Sequence, residues 1–178
     1  MPSPATRPLA AGDHVIVEVE LAFRLARDLP SRETSRDGIV AAIDSALVGI
    51  ELIRGRLGEP PAVPFLAFLA DNAGNDGYVT GGATRDFRNL DLTRLRCRLS
   101  VGGELVHDKV GGHPQGDPIE PIRAWLARGD DTLGGLRAGQ VVTTGSFTTP
   151  FRAEHAARFE ASMEGIGEVR LDLVAREA

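Results

Sequence analysis

The 178-residue sequence predicts an α+β domain rich in antiparallel sheet. Three observations lead there. Short apolar runs alternate with period two and are rich in β-branched residues. Two pairs of such runs flank glycine turns, at Gly102-Gly103 and Glu164-Gly165, the pattern of hairpins. Only two segments combine helical spacing with a capping residue, so strands outnumber helices.

Residues 1–14 hold three prolines and no clear periodicity, and read as a loose lead-in to a single domain over 15–178. A strand follows over 15–23. Side chains two apart on a strand share a face. Val15, Val17, Val19 and Leu21 thus line one side, and Ile16, Glu18 and Glu20 the other. After a polar loop from Arg27, Ser35 caps a helix predicted over 36–46, with Ile39, Val40, Ile43 and Leu47 at helical spacing. The strand predicted over 48–54 carries Glu51. Val63 to Ala70 is short and apolar, and runs into the turn cluster Asp71 to Gly77.

Tyr78 to Gly81 reads as a short strand and Leu95 to Val110 as a hairpin. Arg94, Arg96 and Arg98 alternate outward from that hairpin, as a solvated face or, in the minority reading, an anion site. A loop over Gly111 to Asp117 leads to a second helix. Asp117 caps it, Pro118 starts it, and Ile122, Trp125 and Leu126 form its buried stripe. Gln140 to Thr144 is a strand that stops at Gly145. The last hairpin pairs 157–163 with 167–174.

Composition excludes several function classes. The net charge is −5, aromatics are few and no basic stripe is present, which argues against a nucleic-acid partner. Of 20 basic residues only Lys109 is lysine, and it reads as a solvated strand residue. The single cysteine, Cys97, forbids an internal disulfide and fits a reducing cytoplasm. Within the Leu95-Cys97-Leu99 alternation it reads as a small core residue. No signal peptide or membrane span is visible.

Glu18, Glu20 and Glu51 are the chemically informative residues. Glu51 follows Glu20 by 31 positions and stands alone in an apolar run. An E-x-E on a strand is ordinarily a solvated face. Three carboxylates on two strands also suit a hard cation such as Mg²⁺ or Mn²⁺, and a buried lone carboxylate needs a partner.

Several segments together resemble the 2-keto-4-pentenoate hydratase branch of the fumarylacetoacetate hydrolase superfamily. They are Val17-Glu18-Val19-Glu20-Leu21-Ala22-Phe23 with Arg27-Asp28-Leu29-Pro30, then Gly49-Ile50-Glu51-Leu52-Ile53-Arg54-Gly55-Arg56 and Leu69-Ala70-Asp71-Asn72-Ala73. The later half adds Gly112-His113-Pro114 with Asp117-Pro118, Ala124-Trp125-Leu126-Ala127, Leu136 to Ser146 and Glu164-Gly165-Ile166-Gly167. They fall in the family's order over 15–174, nearly the whole chain.

The resemblance implies a strand-rich mixed fold whose divalent metal, Mg²⁺ or Mn²⁺, is held by Glu18, Glu20 and Glu51. It implies a small 2-oxo or 2-hydroxy-dienoate acid as substrate and hydration in the catabolism of aromatic compounds. Asp71 and Asn72 are then substrate-binding candidates, against an Asx-turn reading. Thr144 and Gly145 could hold a carboxylate, against a simple strand end. His113 is the candidate proton shuttle, against a structural histidine. Family members are longer at the N-terminus and bring a lysine from there to the site. Here 14 residues precede Val15 and none is lysine. The alternatives are a decarboxylase or acylpyruvate C–C hydrolase on the same scaffold, a truncated or silent partner domain, and an acidic domain with no metal. A homo-oligomer or a completing partner chain is expected.

Overall fold

The computed structural model describes residues 1–30, 35–58, 62–129 and 134–176. Residues 31–34 of the expected polar loop lie outside them. Two five-stranded sheets pack face to face, the layered α+β arrangement expected. The first contains β2 (Val15–Leu25), β3 (Ile43–Ile53), β4 (Asn75–Thr84) and β7 (Val141–Ser146), in the order β4-β3-β2-β7, with β8 (Phe151–Ala153) also paired to β2. The second is ordered β1-β10-β9-β5-β6, from β1 (Ala5–Leu9), β10 (Gly167–Ala175), β9 (Ala157–Met163), β5 (Arg96–Val101) and β6 (Glu104–Val110). All pairings are antiparallel except β1 with β10.

The core lies between the sheets. On β2 the residues Val15, Val17, Val19, Leu21, Phe23 and Leu25 are all buried, as their alternation requires. They face partners such as Leu52 and Ile50 on β3, and Phe159, Leu171 and Leu99 fill the opposite layer. Cys97 is buried in that layer, and burial pushes its thiol up to about 12, so it behaves as a core residue.

The sheets meet backbone to backbone where β4 crosses β10. A Cβ placed on Gly81 would sit 2.4 Å from the Glu168 carbonyl oxygen and 2.5 Å from the Val169 Cβ. Gly81→Ala is therefore expected to force the layers apart and to cost roughly 1–3 kcal/mol. Urea unfolding of the variant checks this, and a midpoint equal to the parent's would refute it.

Three sequence expectations are corrected, and a segment left without an element gains one. Residues 1–14 are not a loose lead-in, because Ala5–Leu9 adds a parallel strand to the edge of the second sheet, and Ala5 and Leu9 are buried. Its Thr-Arg-Pro centre hid the alternation, and an edge position tolerates Pro8. The first helix, α1 (Arg36–Ala41), is capped by Ser35, whose hydroxyl accepts the Gly38 N–H at 3.1 Å, but it ends early. Ile43 and Leu47 belong to β3; a spacing of four satisfies both a helix and a strand. The last helix, α3 (Glu120–Arg128), starts after the expected point, with Pro121 in its first turn. Asp117 makes a turn ahead of it, accepting the Ile119 N–H at 3.0 Å. Ile122 and Leu126 are buried but Trp125 is exposed. Finally, Val63 to Ala70 contains a short helix, α2 (Phe65–Ala70), with Phe65, Leu66 and Leu69 exposed.

Both predicted hairpins form. The turn residues Gly102 and Gly103 have φ of 60° and 88°, a conformation that glycine adopts without strain. Arg96 and Arg98 on β5 are solvated and pair with Asp108. Among the described residues no helix is long and apolar enough to cross a membrane.

Candidate metal centre

The outward-facing side of β2, β3 and β4 builds the site in two adjacent rows. Glu18 on β2 stands opposite Glu51 on β3, which stands opposite Tyr78 on β4. In the next row Ser146 of β7 faces Glu20, Glu20 faces Gly49, and Gly49 faces Thr80. Period-two geometry puts all these side chains on one face. The structure thus brings Glu18, Glu20 and Glu51 together, with one carboxylate oxygen of each within 4.8 Å of the others.

Like charges directly opposite on a sheet repel. Burial raises the Glu18 carboxyl above its ordinary value, and the neighbouring Glu51 raises it further. Burial pushes Glu20 up to about 8, with the charges of Glu51 and Glu18 adding to it. The charged neighbours acting on these two groups are carboxylates. One Glu51 oxygen accepts a hydrogen bond from the Asn75 side-chain amide at 2.7 Å. Glu20 is 3% exposed, and its Oε2 is buried with no hydrogen-bond partner among the described residues. Three hard oxygen donors, mutual repulsion and an orphaned buried oxygen fit a divalent cation, which would take one oxygen from each and retain further positions for a chelating ligand.

A bulge orients Glu20. The register of β2 with β7 shifts between Glu20 and Ala22, and Gly145 takes φ of 114° there, a value that favours glycine. The Gly145 N–H and the Thr143 hydroxyl lie on the Glu20 side of the bulge and offset part of the rise that burial and the neighbouring carboxylates impose on Glu20. Of the two expected substrate-binding positions, the Thr144 hydroxyl donates to the Leu21 carbonyl at 2.7 Å, and Gly145 stands at the bulge beside Glu20.

His113 backs the same bulge. Its Nδ1 accepts the Gln115 N–H at 3.2 Å, which leaves Nε2–H to donate to the Thr144 carbonyl at 2.8 Å. The ring is buried and stacks at an angle against Phe147, and burial lowers its basicity. Both nitrogens are occupied, so His113 positions the Thr144–Gly145 strand end and is not placed to shuttle protons. Asp71 also acts locally. Its carboxylate accepts the Arg56 N–H at 2.6 Å and pairs with the Arg56 guanidinium at 2.9 Å, which holds it below the usual range. Asn72 is exposed, with φ of 55°. That guanidinium reaches on to the Asn75 carbonyl at 2.8 Å, so the Asp71–Arg56 pair supports the residue that holds Glu51.

Sequence reasoning missed Asn75, Tyr78 and Thr143. Asn75 sat in the turn cluster, although β4 starts there. The glycines at 77, 81 and 82 broke the alternation that would have marked Tyr78 as facing the carboxylates.

The fumarylacetoacetate (FAA) hydrolase C-terminal family matches residues 3–174. A 2-keto-4-pentenoate hydratase of Paraburkholderia xenovorans (strain LB400) is 31% identical over 168 residues, 94% of this chain and 62% of that protein. A 2-hydroxyhexa-2,4-dienoate hydratase of Comamonas testosteroni is 30% identical over 154 residues, 84% of this chain and 56% of that protein. The chain thus spans about three-fifths of the curated relatives it matches. Among solved structures, 4-oxalocrotonate decarboxylase from Pseudomonas putida G7, complexed with magnesium and adipate, superposes with a TM-score of 0.79 at 21% identity, covering 96% of this chain and 66% of that one. The two-sheet fold is that of this neighbour, and the match over residues 3–174 means that the chain belongs to the fumarylacetoacetate hydrolase C-terminal family.

Proposed function

We propose that this domain is a hydro-lyase that adds water to a 2-hydroxy-dienoate or 2-oxo-alkenoate, using Mg²⁺ or Mn²⁺ held by Glu18, Glu20 and Glu51. The observation that carries the reading is the cluster of three facing carboxylates, one of them buried with an orphaned oxygen. The hydratase names of the relatives that are at least 30% identical supply the substrate class. When bound, the ion supplies Lewis acidity that stabilises negative charge on the 2-oxygen of a chelating 2-oxo acid.

The protein's part is orientation. The β7 bulge at Gly145 packs beside Glu20 on one side, and the Asn75 amide fixes Glu51 on the other. His113 holds that bulge through the Thr144 carbonyl. Asn72 is exposed and stays a substrate-binding candidate, whereas Asp71 serves the site from behind, through Arg56 and Asn75. A homo-oligomer or partner chain belongs to the same reading, supported by the exposed Phe65, Leu66 and Leu69.

A decarboxylase is the second reading, favoured by the superposition on 4-oxalocrotonate decarboxylase. The test is a Mn²⁺ titration with and without oxalate, a planar mimic of a 2-oxo acid enolate, followed by a panel of 2-hydroxy-dienoates. One Mn²⁺ site tightened by oxalate, with water added to the dienoate, supports the hydratase. Release of CO₂ from a 2-oxo dicarboxylate without hydration favours the second reading. A folded sample with no specific Mn²⁺ site refutes both.

A further inference from the structure

The phenol of Tyr78 is a polar group near the carboxylates that the reading above does not use. Its Oη is buried, and it has no hydrogen-bond partner among the described residues. Its ring leaves its own row and lies diagonally across Gly49. A Cβ on Gly49 would fall 2.2 Å from the Tyr78 Oη and 2.4 Å from its Cε1 and Cζ, so only glycine admits the ring. Gly49 stands between Thr80 on β4 and Glu20 on β2, and adjacent strands lie about 4.8 Å apart. The phenol therefore reaches across β3 toward Glu20, whose Oε2 is the other buried orphan on this face.

Two orphaned polar atoms on one face, one a carboxylate oxygen and one a phenol hydroxyl, call for different partners. Glu20 needs a cation. A phenol O–H beside three carboxylates and their ion needs an acceptor, and the acceptor that accompanies the ion is the chelating acid. We propose that Tyr78 is a substrate-binding residue, its Oη–H donating to an anionic oxygen of the 2-oxo acid that chelates the metal, with Gly49 as the gap that admits it. This inference rests on the metal-dependent reading above. A neutral donor here favours an anionic ligand oxygen without competing with the carboxylates for the ion. It also offsets part of the negative charge that three glutamates leave around a divalent ion.

Tyr78 is the chain's single tyrosine, which gives the test a direct signal. Mn²⁺ and then oxalate are titrated into the parent, Tyr78→Phe and Gly49→Ala, with ultraviolet difference spectra recorded at each oxalate step. Tyr78→Phe keeps the ring and removes only the hydroxyl. It is expected to bind Mn²⁺ within about threefold of the parent and oxalate roughly 10- to 100-fold more weakly, the worth of one hydrogen bond to a charged group. The parent should show a tyrosine difference band on adding oxalate that Tyr78→Phe lacks. Gly49→Ala keeps the hydroxyl but displaces the ring, and should lose oxalate affinity likewise.

Unchanged oxalate affinity in Tyr78→Phe, or no tyrosine band in the parent, overturns the inference while leaving the metal reading intact. A matched loss of Mn²⁺ and oxalate affinity in Tyr78→Phe also overturns it, since the phenol would then be supporting the carboxylates. If the folded parent binds no Mn²⁺, both readings fall.

Discussion

Glu51→Gln is expected to lower Mn²⁺ affinity by about 100-fold or more, because it removes one of three anionic ligands and leaves a weaker amide oxygen in its place. The substitution is nearly isosteric. The Gln carbonyl can still accept the Asn75 amide that Glu51 accepts at 2.7 Å, so β3 and β4 have no reason to separate. It also relieves the repulsion between Glu51 and the facing Glu18. Metal-free stability should hold or rise while metal binding is lost. Calorimetric Mn²⁺ titration beside urea unfolding in EDTA separates the two effects. Retained affinity would show that the cation, if bound, sits elsewhere. A loss of fold would show that Glu51 is structural.

The second large effect is on stability against pH in the metal-free protein. Glu20 has an ordinary value of 4.5 and a folded value of about 8. Below pH 4.5 both folded and unfolded chains carry the proton, and the group costs nothing. Between 4.5 and 8 the unfolded chain releases the proton and the folded chain retains it, so stability falls as pH rises. Above 8 the full penalty is present, roughly 3–5 kcal/mol. Glu20→Gln removes the titrating group and should flatten that part of the curve. His113 acts in the opposite sense: its imidazole is buried with lowered basicity, so acidification below its ordinary 6.5 destabilises the fold. Both proteins carry His113, so the difference between their curves isolates Glu20. Urea unfolding in EDTA at pH 5, 7 and 8.5 gives it, and a difference that does not change with pH would refute the assignment. Added Mn²⁺ should stabilise the parent but not the variant.

The acids were legible because a strand's period of two is rigid. Once Val15, Val17, Val19 and Leu21 face the core, Glu18 and Glu20 have no other side to occupy. The register that brings Glu51 opposite Glu18 was not legible. It depends on where β3 begins, and Ile39, Ile43 and Leu47 fit either a longer helix or an earlier strand. The structure places His113, Thr144 and Gly145 at the β7 bulge beside Glu20, and Asp71 behind Asn75, where they form a layer of supports. Which polar groups face inward to a ligand and which brace a neighbour depends on hydrogen bonds between distant strands. His113 with Thr144, and Asp71 with Arg56, are bonds of that kind. Tyr78 escaped notice because it reaches its target by leaning over a glycine on the neighbouring strand, a relation no single-strand pattern encodes.

Strands β2, β3 and β4 are neighbours in sequence as well as in space, whereas β7, whose bulge lies beside Glu20, arrives from much later in the chain. Neighbouring strands close into a meander early and cheaply, and distant pairings close late. During synthesis on a ribosome the three carboxylates can therefore converge before the bulge that steadies Glu20 has been made. In that interval protonation is the means at hand to quiet their repulsion, and a divalent ion at the proposed site would serve the same end.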